Sequence, residues 1–281
     1  MEKDKSIALQ CVYGNEDSTF IEKVLLPSLE YSFSGRIKFY CLNFEDPNTL
    51  ISAEIPGVEI INIPPEAGRR NGFSRNHNLI FKHHLSKNFV LVNPDCIPSK
   101  NSLDILWELK EQNHMAAIIE SSQWPFEHPK KYDPYSRETS WASGFFSMID
   151  GLFFQRVGGF DENFFLYCED VDLSWQAWLN GYKVIYAKES KVVHFTDFKF
   201  ARSDLPNREE VCTRLSFLIL SYKYFGEKGL SSAYKMMTNF IDFATLRRIV
   251  EEFEAIRPAI STKYQGISHP MVKILGYNLF A

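Results

Sequence analysis

Apolar positions along the chain fall into short runs separated by stretches with helical spacing. Ser6–Tyr13 (SIALQCVY), Arg36–Asn43 (RIKFYCLN), Val58–Ile63 (VEIINI), Phe89–Asn93 (FVLVN) and Ala116–Ser121 (AAIIES) read as strands. Between them, Phe20–Phe33 puts Ile21, Val24, Leu25 and Leu29 on one face. Ser74–Leu85 carries Leu79, Ile80 and Leu85, and Ser99–Asn113 holds Leu103, Leu106 and Leu109 behind Ser99 as a cap. Strands alternating with helices predict an α/β fold, with a mainly parallel sheet covered on both faces.

Residues 122–140 interrupt this rhythm with three prolines and no periodicity, which predicts a long functional loop across the active face. A strand at Trp141–Asp150, a helix at Val171–Leu179 stopped by Gly181, and short strands at Lys183–Tyr186 and Lys191–His194 follow. The last part changes character: Glu209–Phe225 and Leu230–Ile256 have helical spacing, and Pro258 ends the second. The expected division is a domain over residues 1–204 and a helical extension over 205–281. The extension's helices have three open roles: covering the sheet, dimerising, or touching a membrane. The Phe- and Met-bearing face of the second is most simply core.

Composition narrows the function classes. The 281 residues suit one large domain, or one domain with an appendage. A formal net charge of -4 with no basic run argues against a nucleic-acid partner. Five widely spaced cysteines without a CxxC pair argue against a disulfide framework or structural zinc, and fit reduced thiols in the cytoplasm. The amino-terminal residues lack the apolar core of a signal peptide, and no run is long enough to span a membrane. Contact with the inner face of a membrane through an amphipathic helix stays open. Aromatic residues reach 15%, which suggests a heavily packed core.

Ligands in an open α/β sheet bind outside the carboxyl ends of the strands. That rule singles out Tyr13-Gly14-Asn15, Asn93-Pro94-Asp95 and His194. Asp95, in a turn set by proline, can hold a divalent cation, and Asn-Pro-Asp equally makes an Asx turn. Glu169, Asp170 and Asp172 open a helix, where acids either cap or act as a general base. Imidazole at His194 suits Mn²⁺ where carboxylates complete the shell. Asn71-Gly72-Phe73-Ser74-Arg75-Asn76 opens another helix, as a simple cap or as an anion contact. Trp124, Phe126, Tyr132, Tyr135 and Trp141 either pack the 122–141 segment or offer ring faces to a ligand, and Tyr167 and Trp175 stand beside the acids.

These elements, in this order, resemble the family 2 glycosyltransferases with the GT-A fold, especially the rhamnosyltransferase-like branch. The resemblance rests on NGFSRNHNLIF (71–81), VLVNPDCIP (90–98) and above all ASGFFSMI…VGGFDENFFLYCEDVDLSWQAWLNGYKVIYAKESKVVH (142–194). It implies inverting, metal-dependent transfer of a sugar, from dTDP-rhamnose or a UDP-hexose, to a glycan or lipid-linked acceptor in surface polysaccharide synthesis. Asp95 then matches the last acid of the metal motif, with Asn93 where relatives carry the first. Asp170 matches the catalytic base with Glu169 beside it, and His194 matches a further ligand for Mn²⁺ or Mg²⁺. Tyr13, Asn15, Asn43, Asn71, Gly72, Arg75 and Asn76 are expected to face the nucleotide. Trp124, Trp141, Tyr167 and Trp175 are expected at the acceptor.

Two positions depart from the pattern. The second strand ends in Leu42-Asn43-Phe44-Glu45-Asp46 where relatives place Asp-Asn, leaving the base-contacting residue open among Asn43, Glu45 and Asp46. Gln176 stands where relatives carry Arg, so a positive charge is missing there. A nucleotide-sugar-binding protein without activity is the alternative these departures motivate. A sugar nucleotidyltransferase would need a basic loop after the first strand, and YGNEDS has neither Lys nor Arg.

Overall fold

The computed structural model describes residues 5–66, 72–195, 205–237 and 242–281, and the side chains of all of these except 205–208. The chain runs β1 (Ser6–Tyr13), α1 (Ser18–Phe20), a π turn at Ile21–Leu25, α2 (Leu26–Ser32), β2 (Arg36–Asn43), β3 (Val58–Asn62) and α3 (Phe73–His84). It continues through β4 (Asn88–Val92), β5 (Cys96–Pro98), α4 (Ser102–Gln112), β6 (Ala116–Trp124), β7 (Phe146–Asp150), α5 (Gly151–Val157), α6 (Glu169–Leu179) and β8 (Lys183–His194). Helices α7 (Leu205–Met237) and α8 (Phe243–Ile256) and a hairpin of β9 (Ile274–Gly276) and β10 (Leu279–Phe280) complete it.

One eight-stranded sheet carries the order β3-β2-β1-β4-β7-β6-β8-β5. Strands β3, β2, β1 and β4 are parallel, as are β6 and β8, whereas β7 runs against β4 and β6, and β5 against β8. The expected mixed, mainly parallel sheet is therefore present. Side-chain alternation sorts the strands' apolar residues onto two faces. Ile7, Leu9, Cys11 and Tyr13 of β1 meet Leu25, Leu29, Leu103 and Leu106 from α2, α4 and the π turn. Ala8, Phe89 and Ile118 face the layer of α3, α5, α6, α7 and α8.

That second layer is where much of the aromatic excess is used. Trp175 of α6 is fully buried and packs edge-on against Tyr224, Phe225 and Phe280. Leu230, Met237, Ile249 and Phe253 join the same cluster, so the apolar face of 230–256 is core as expected.

Several boundaries differ from the periodicity reading, and the strand expected at Trp141–Asp150 starts only at Phe146. Lys183–Tyr186 and Lys191–His194 form one strand, because β8 follows β6 on both sides of a register shift at Ser121/Ser122. The helix predicted over 230–256 is instead the end of α7 and a separate α8. Gly226, at φ 60 and ψ -149, marks the kink within α7, and Asp242 caps α8 by accepting from the amides of Ala244 and Thr245. Helical spacing carried across that break because both pieces bury one face in the same core. Helix α4 is capped at Asn101, in the left-handed region, rather than at Ser99, whose amide bonds Lys191 of β8.

Candidate functional site

Three segments converge at the carboxyl ends of the parallel strands. The first is the turn leaving β4. The Asn93 amide donates to the Phe145 carbonyl and that of Cys96 to the Asn93 carbonyl, which folds Asn93–Asp95 over the sheet edge. The second is the end of β8. Antiparallel pairing sets Cys96 opposite His194, and the Phe195 amide donates to the Asp95 carbonyl. His194 Nε2 lies 3.2 Å from Asp95 Oδ1 and 3.2 Å from Asn93 Nδ2, with its ring stacked on Phe145. Residues a hundred positions apart are thus joined by strand register alone.

The arrangement fits a divalent cation. One imidazole nitrogen faces an amide donor, which asks for a lone pair, and a carboxylate, which asks for a proton; it satisfies only one at a time. Ligand atoms of Asp95, Cys96 and His194 lie within 4.8 Å of one another. A carboxylate oxygen and an imidazole nitrogen suit Mn²⁺ or Mg²⁺ better than does the thiol. The Cys96 thiol is buried in the ladder, 3.7 Å from the Phe145 carbonyl.

The third segment is the start of α6. Tyr167 and Cys168 both take positive φ, 71° and 61°, a costly pair of left-handed residues that swings the chain into the helix. Asp170 then accepts from the Gly144 amide at 3.2 Å and from the Val171 amide at 2.7 Å. Gly144 leaves little room for a side chain: a Cβ would sit 3.1 Å from Phe73 and 3.8 Å from Asp170 Cβ. Burial raises the Asp170 carboxyl above its ordinary range, and these two amides and the Lys130 charge oppose the rise. Burial raises Glu169 well above the carboxylate range, with Asp170 adding to the effect, and Glu169 Oε2 has no hydrogen-bond partner among the described residues. The pair therefore differs in its surroundings: burial raises both, and Asp170 is the one with the Gly144 and Val171 amides aimed at its charge.

The nucleotide-facing candidates divide. Tyr13 is buried, with its hydroxyl donating to the Thr49 carbonyl. Asn43 Nδ2 donates to Asn15 Oδ1, and Asn43 Oδ1 accepts from the amides of Glu45 and Asp46, so this side chain holds the turn together. Asp46 is similarly occupied by Asn48 and Thr49. Glu45 is left as the exposed carboxylate: it accepts from the Asn15 amide and stands over Gly14, where a Cβ would come within 3.1 Å of it. Of the three residues left open at the end of β2, Glu45 is the one whose charge lies at the mouth of β1.

Gly72 begins α3 in close contact with the 160s segment: a Cβ there would come within 2.4 Å of the Phe165 carbonyl oxygen. Arg75 pairs with Glu66 and with Glu162, and Asn76 is buried. Asn71 lies outside the described residues.

Of the acceptor candidates, Trp124 is exposed and Tyr167 half-buried. Trp141 is buried beneath Lys130. Trp175 is corrected: its indole is enclosed in the helical layer, and a ring with no exposed face cannot stack on a sugar. It lies near the acids in sequence, and on α6 it faces Tyr224, Phe225 and Phe280, the layer in which Tyr224 also reaches Asp172.

Lys130 and Glu120 were missed. Lys130, from the proline-rich segment, forms a buried ion pair with Glu120, in the sheet interior. An acid inside the apolar run AAIIES was the available signal; nothing in the loop distinguished Lys130 from Lys131. The charge missing at Gln176 is also supplied from afar. Gln176 Nε2 donates to Asp172, and Lys223 of α7 reaches Asp172 and Asp161 at 2.8 and 2.6 Å.

No family model matches the chain. A segment of 65 residues is 35% identical to the N-acetylglucosaminyl-diphospho-decaprenol L-rhamnosyltransferase of Mycobacterium tuberculosis, covering 23% of this chain and 21% of that protein. A segment of 55 residues is 36% identical to the rhamnosyltransferase WbbL of Escherichia coli, covering 20% and 21%. The matches thus span about a fifth of each relative's length. Among solved structures, the mannosyltransferase PcManGT of Pyrobaculum calidifontis, in complex with GDP-Man and Mn²⁺, superposes with a TM-score of 0.58 at 14% identity. The match covers 94% of this chain and 76% of that one. The chain has the GT-A fold, and the rhamnosyltransferase-like resemblance expected from its motifs holds.

Proposed function

We propose that the chain is an inverting, metal-dependent glycosyltransferase that moves a sugar from a nucleotide diphosphate to an acceptor hydroxyl. The observation that carries this is the meeting of Asp95 and His194, 3.2 Å apart, at the same sheet edge as Asp170 with its two backbone donors. Asp95 and His194 would hold Mn²⁺ or Mg²⁺. The bound ion would neutralise charge developing on the leaving diphosphate.

The chain's own residues do the rest. Asp170 accepts the proton of the acceptor hydroxyl as the new glycosidic bond forms and the bond to the diphosphate breaks. The Gly144 and Val171 amides keep its lone pairs aimed. Glu45 and Asn15 face the nucleoside. The exposed rings of the 122–140 segment, Trp124 foremost, form the wall on which a glycan stacks.

The rhamnosyltransferase relatives make dTDP-rhamnose, or a UDP-hexose, the donor class to test, and a glycan or lipid-linked saccharide the acceptor class. With this reading go a catalytic unit over 1–204, a helical appendage over 205–281, and a place in the cytoplasm at the inner membrane face in surface-polysaccharide synthesis. Among the described residues, no helix is long and apolar enough to cross a membrane. Peripheral membrane contact and a homodimer remain part of the proposal.

The test is a screen of nucleotide sugars with Mn²⁺ and Mg²⁺, read first as a rise in melting temperature and then as sugar transfer to saccharide and lipid-linked acceptors. A metal-dependent rise selective for one nucleotide sugar, followed by transfer, supports the proposal. Binding without transfer across the acceptor panel favours a binding protein, and no nucleotide-sugar binding at all sinks both.

A further inference from the structure

The segment between β6 and Trp141 brings a charge into the interior. Lys130 is 2% exposed in its side chain and pairs with Glu120, which is 0% exposed. Its Nζ lies 4.5 Å from the centre of the Trp141 ring. Glu120 occupies β6 between β7 and β8, and period two puts it on the face of Ile118, the one α6 covers. The segment is tied down around the lysine. Thr139 Oγ1 donates to the Lys131 carbonyl, Tyr186 donates its amide to the Arg137 carbonyl, and its hydroxyl bonds Glu127.

From this perch a strap runs directly to Asp170. Trp141 lies under the ammonium, the Ala142 amide donates to Ser174 Oγ, that hydroxyl donates to the Asp170 carbonyl, and the Gly144 amide donates to the Asp170 carboxylate. A buried Lys–Glu pair costs desolvation that an apolar pair would avoid, and Glu120 Oε1 has no hydrogen-bond partner among the described residues to offset it.

We propose that Lys130 is a positioning residue of the transfer site: delivered by the proline-rich segment and seated on Trp141, its ammonium sets the charge field in which Asp170 accepts the acceptor's proton. The inference rests on the glycosyltransferase reading above. Asp170 is faced by Glu169 and Asp172 on its own helix, by Cys168 before it, and by the Lys130 charge, which favours its ionisation. Lys130 is itself faced by Glu120, with Glu127 and His128 close by.

The experiment compares Lys130→Met, Lys130→Arg and Glu120→Gln with the parent by the pH dependence of kcat/KM. Loss of an opposite charge that favours a carboxylate's ionisation moves its titration by about one pH unit. Lys130→Met should shift the acid limb up by that amount, Lys130→Arg should restore it, and Glu120→Gln should move it down. Should Lys130→Met fail to fold, the other two variants decide. A uniform loss of rate with an unmoved limb in all soluble variants overturns the proposal and leaves Lys130 a structural residue. The same shift is read without turnover by ¹³C NMR titration of the Asp170 carboxyl. An inert parent would therefore count against the transferase reading, while the titration still decides the role of Lys130.

Discussion

Lys223 of α7 lies 2.8 Å from Asp172 of α6, two residues past the carboxylate assigned as the base. The same ammonium reaches Asp161, and Tyr224 donates its hydroxyl to Asp172. Burial raises Asp172, and Lys223 opposes that rise. Removing one partner of such a buried network leaves an uncompensated charge. Lys223→Met should therefore destabilise the fold by about 3–5 kcal/mol, and Asp172→Asn in the same chain should recover part of the loss. Denaturant unfolding of the single and double variants checks this; equal stability of Lys223→Met and parent would dismiss the network as a structural element.

Asp170→Asn keeps the shape of the side chain and removes its basicity. Transfer should fall by about 10²–10⁴-fold, the range for loss of a general base, while donor binding is retained. Steady-state kinetics beside a calorimetric titration of the nucleotide sugar separates the two effects. Full activity in Asp170→Asn would falsify the assignment.

Asp95→Ala and His194→Ala address the cation. Each should weaken Mn²⁺-dependent binding of a nucleoside diphosphate by tenfold or more, on the order of one lost charge-assisted contact, with little effect on binding in the presence of chelator. Isothermal titration with and without metal reads the difference. Parent-like metal dependence in both variants would remove these residues from the site.

Glu45→Ala tests the turn after β2. A contact to a charged group contributes about 1.5–3 kcal/mol, so KM for the donor should rise by roughly 10- to 100-fold with kcat little changed. If Asn43→Ala, but not Glu45→Ala, produces that selective effect on KM, the nucleoside contact has been misplaced.

Glu169 links stability to pH. Its folded pKa is raised well above the ordinary value of 4.5, chiefly by burial. The folded state therefore holds the proton more tightly than the unfolded chain, and this group's contribution is fully present below pH 4.5 and lost as pH rises toward the folded value. Glu169→Gln abolishes the loss. The variant should match the parent near pH 4 and become more stable than it at neutral pH, by up to about 1.4 kcal/mol for each pH unit crossed. Thermal unfolding across that range checks the sign; a variant less stable than the parent at neutral pH contradicts it.

Much of the fold was legible along the chain because it rests on local rules. Period two assigned β1 and β2 with their observed ends, and period 3.6 found α3, α4 and α6 within a few residues. The turn after β4, the acidic start of α6 and the histidine ending β8 were also readable, since each is a short motif at a strand or helix terminus. Trp175 was misassigned because helical proximity to Asp170 says nothing about which side of α6 a ring leaves. The hairpin of β9 and β10 was missed because two such short strands carry no period.

By itself, the sequence determined the alternation of strands and helices, the mainly parallel sheet and the terminal motifs, because these depend on neighbours within a few residues. Only the tertiary structure decided which charges meet. Glu120 and Lys130, Asp172 and Lys223, and Asp95 and His194 pair across 10, 51 and 99 positions. Those pairings follow from strand register and from which faces bury together, and burial, by stripping water from each carboxylate, makes the meeting matter.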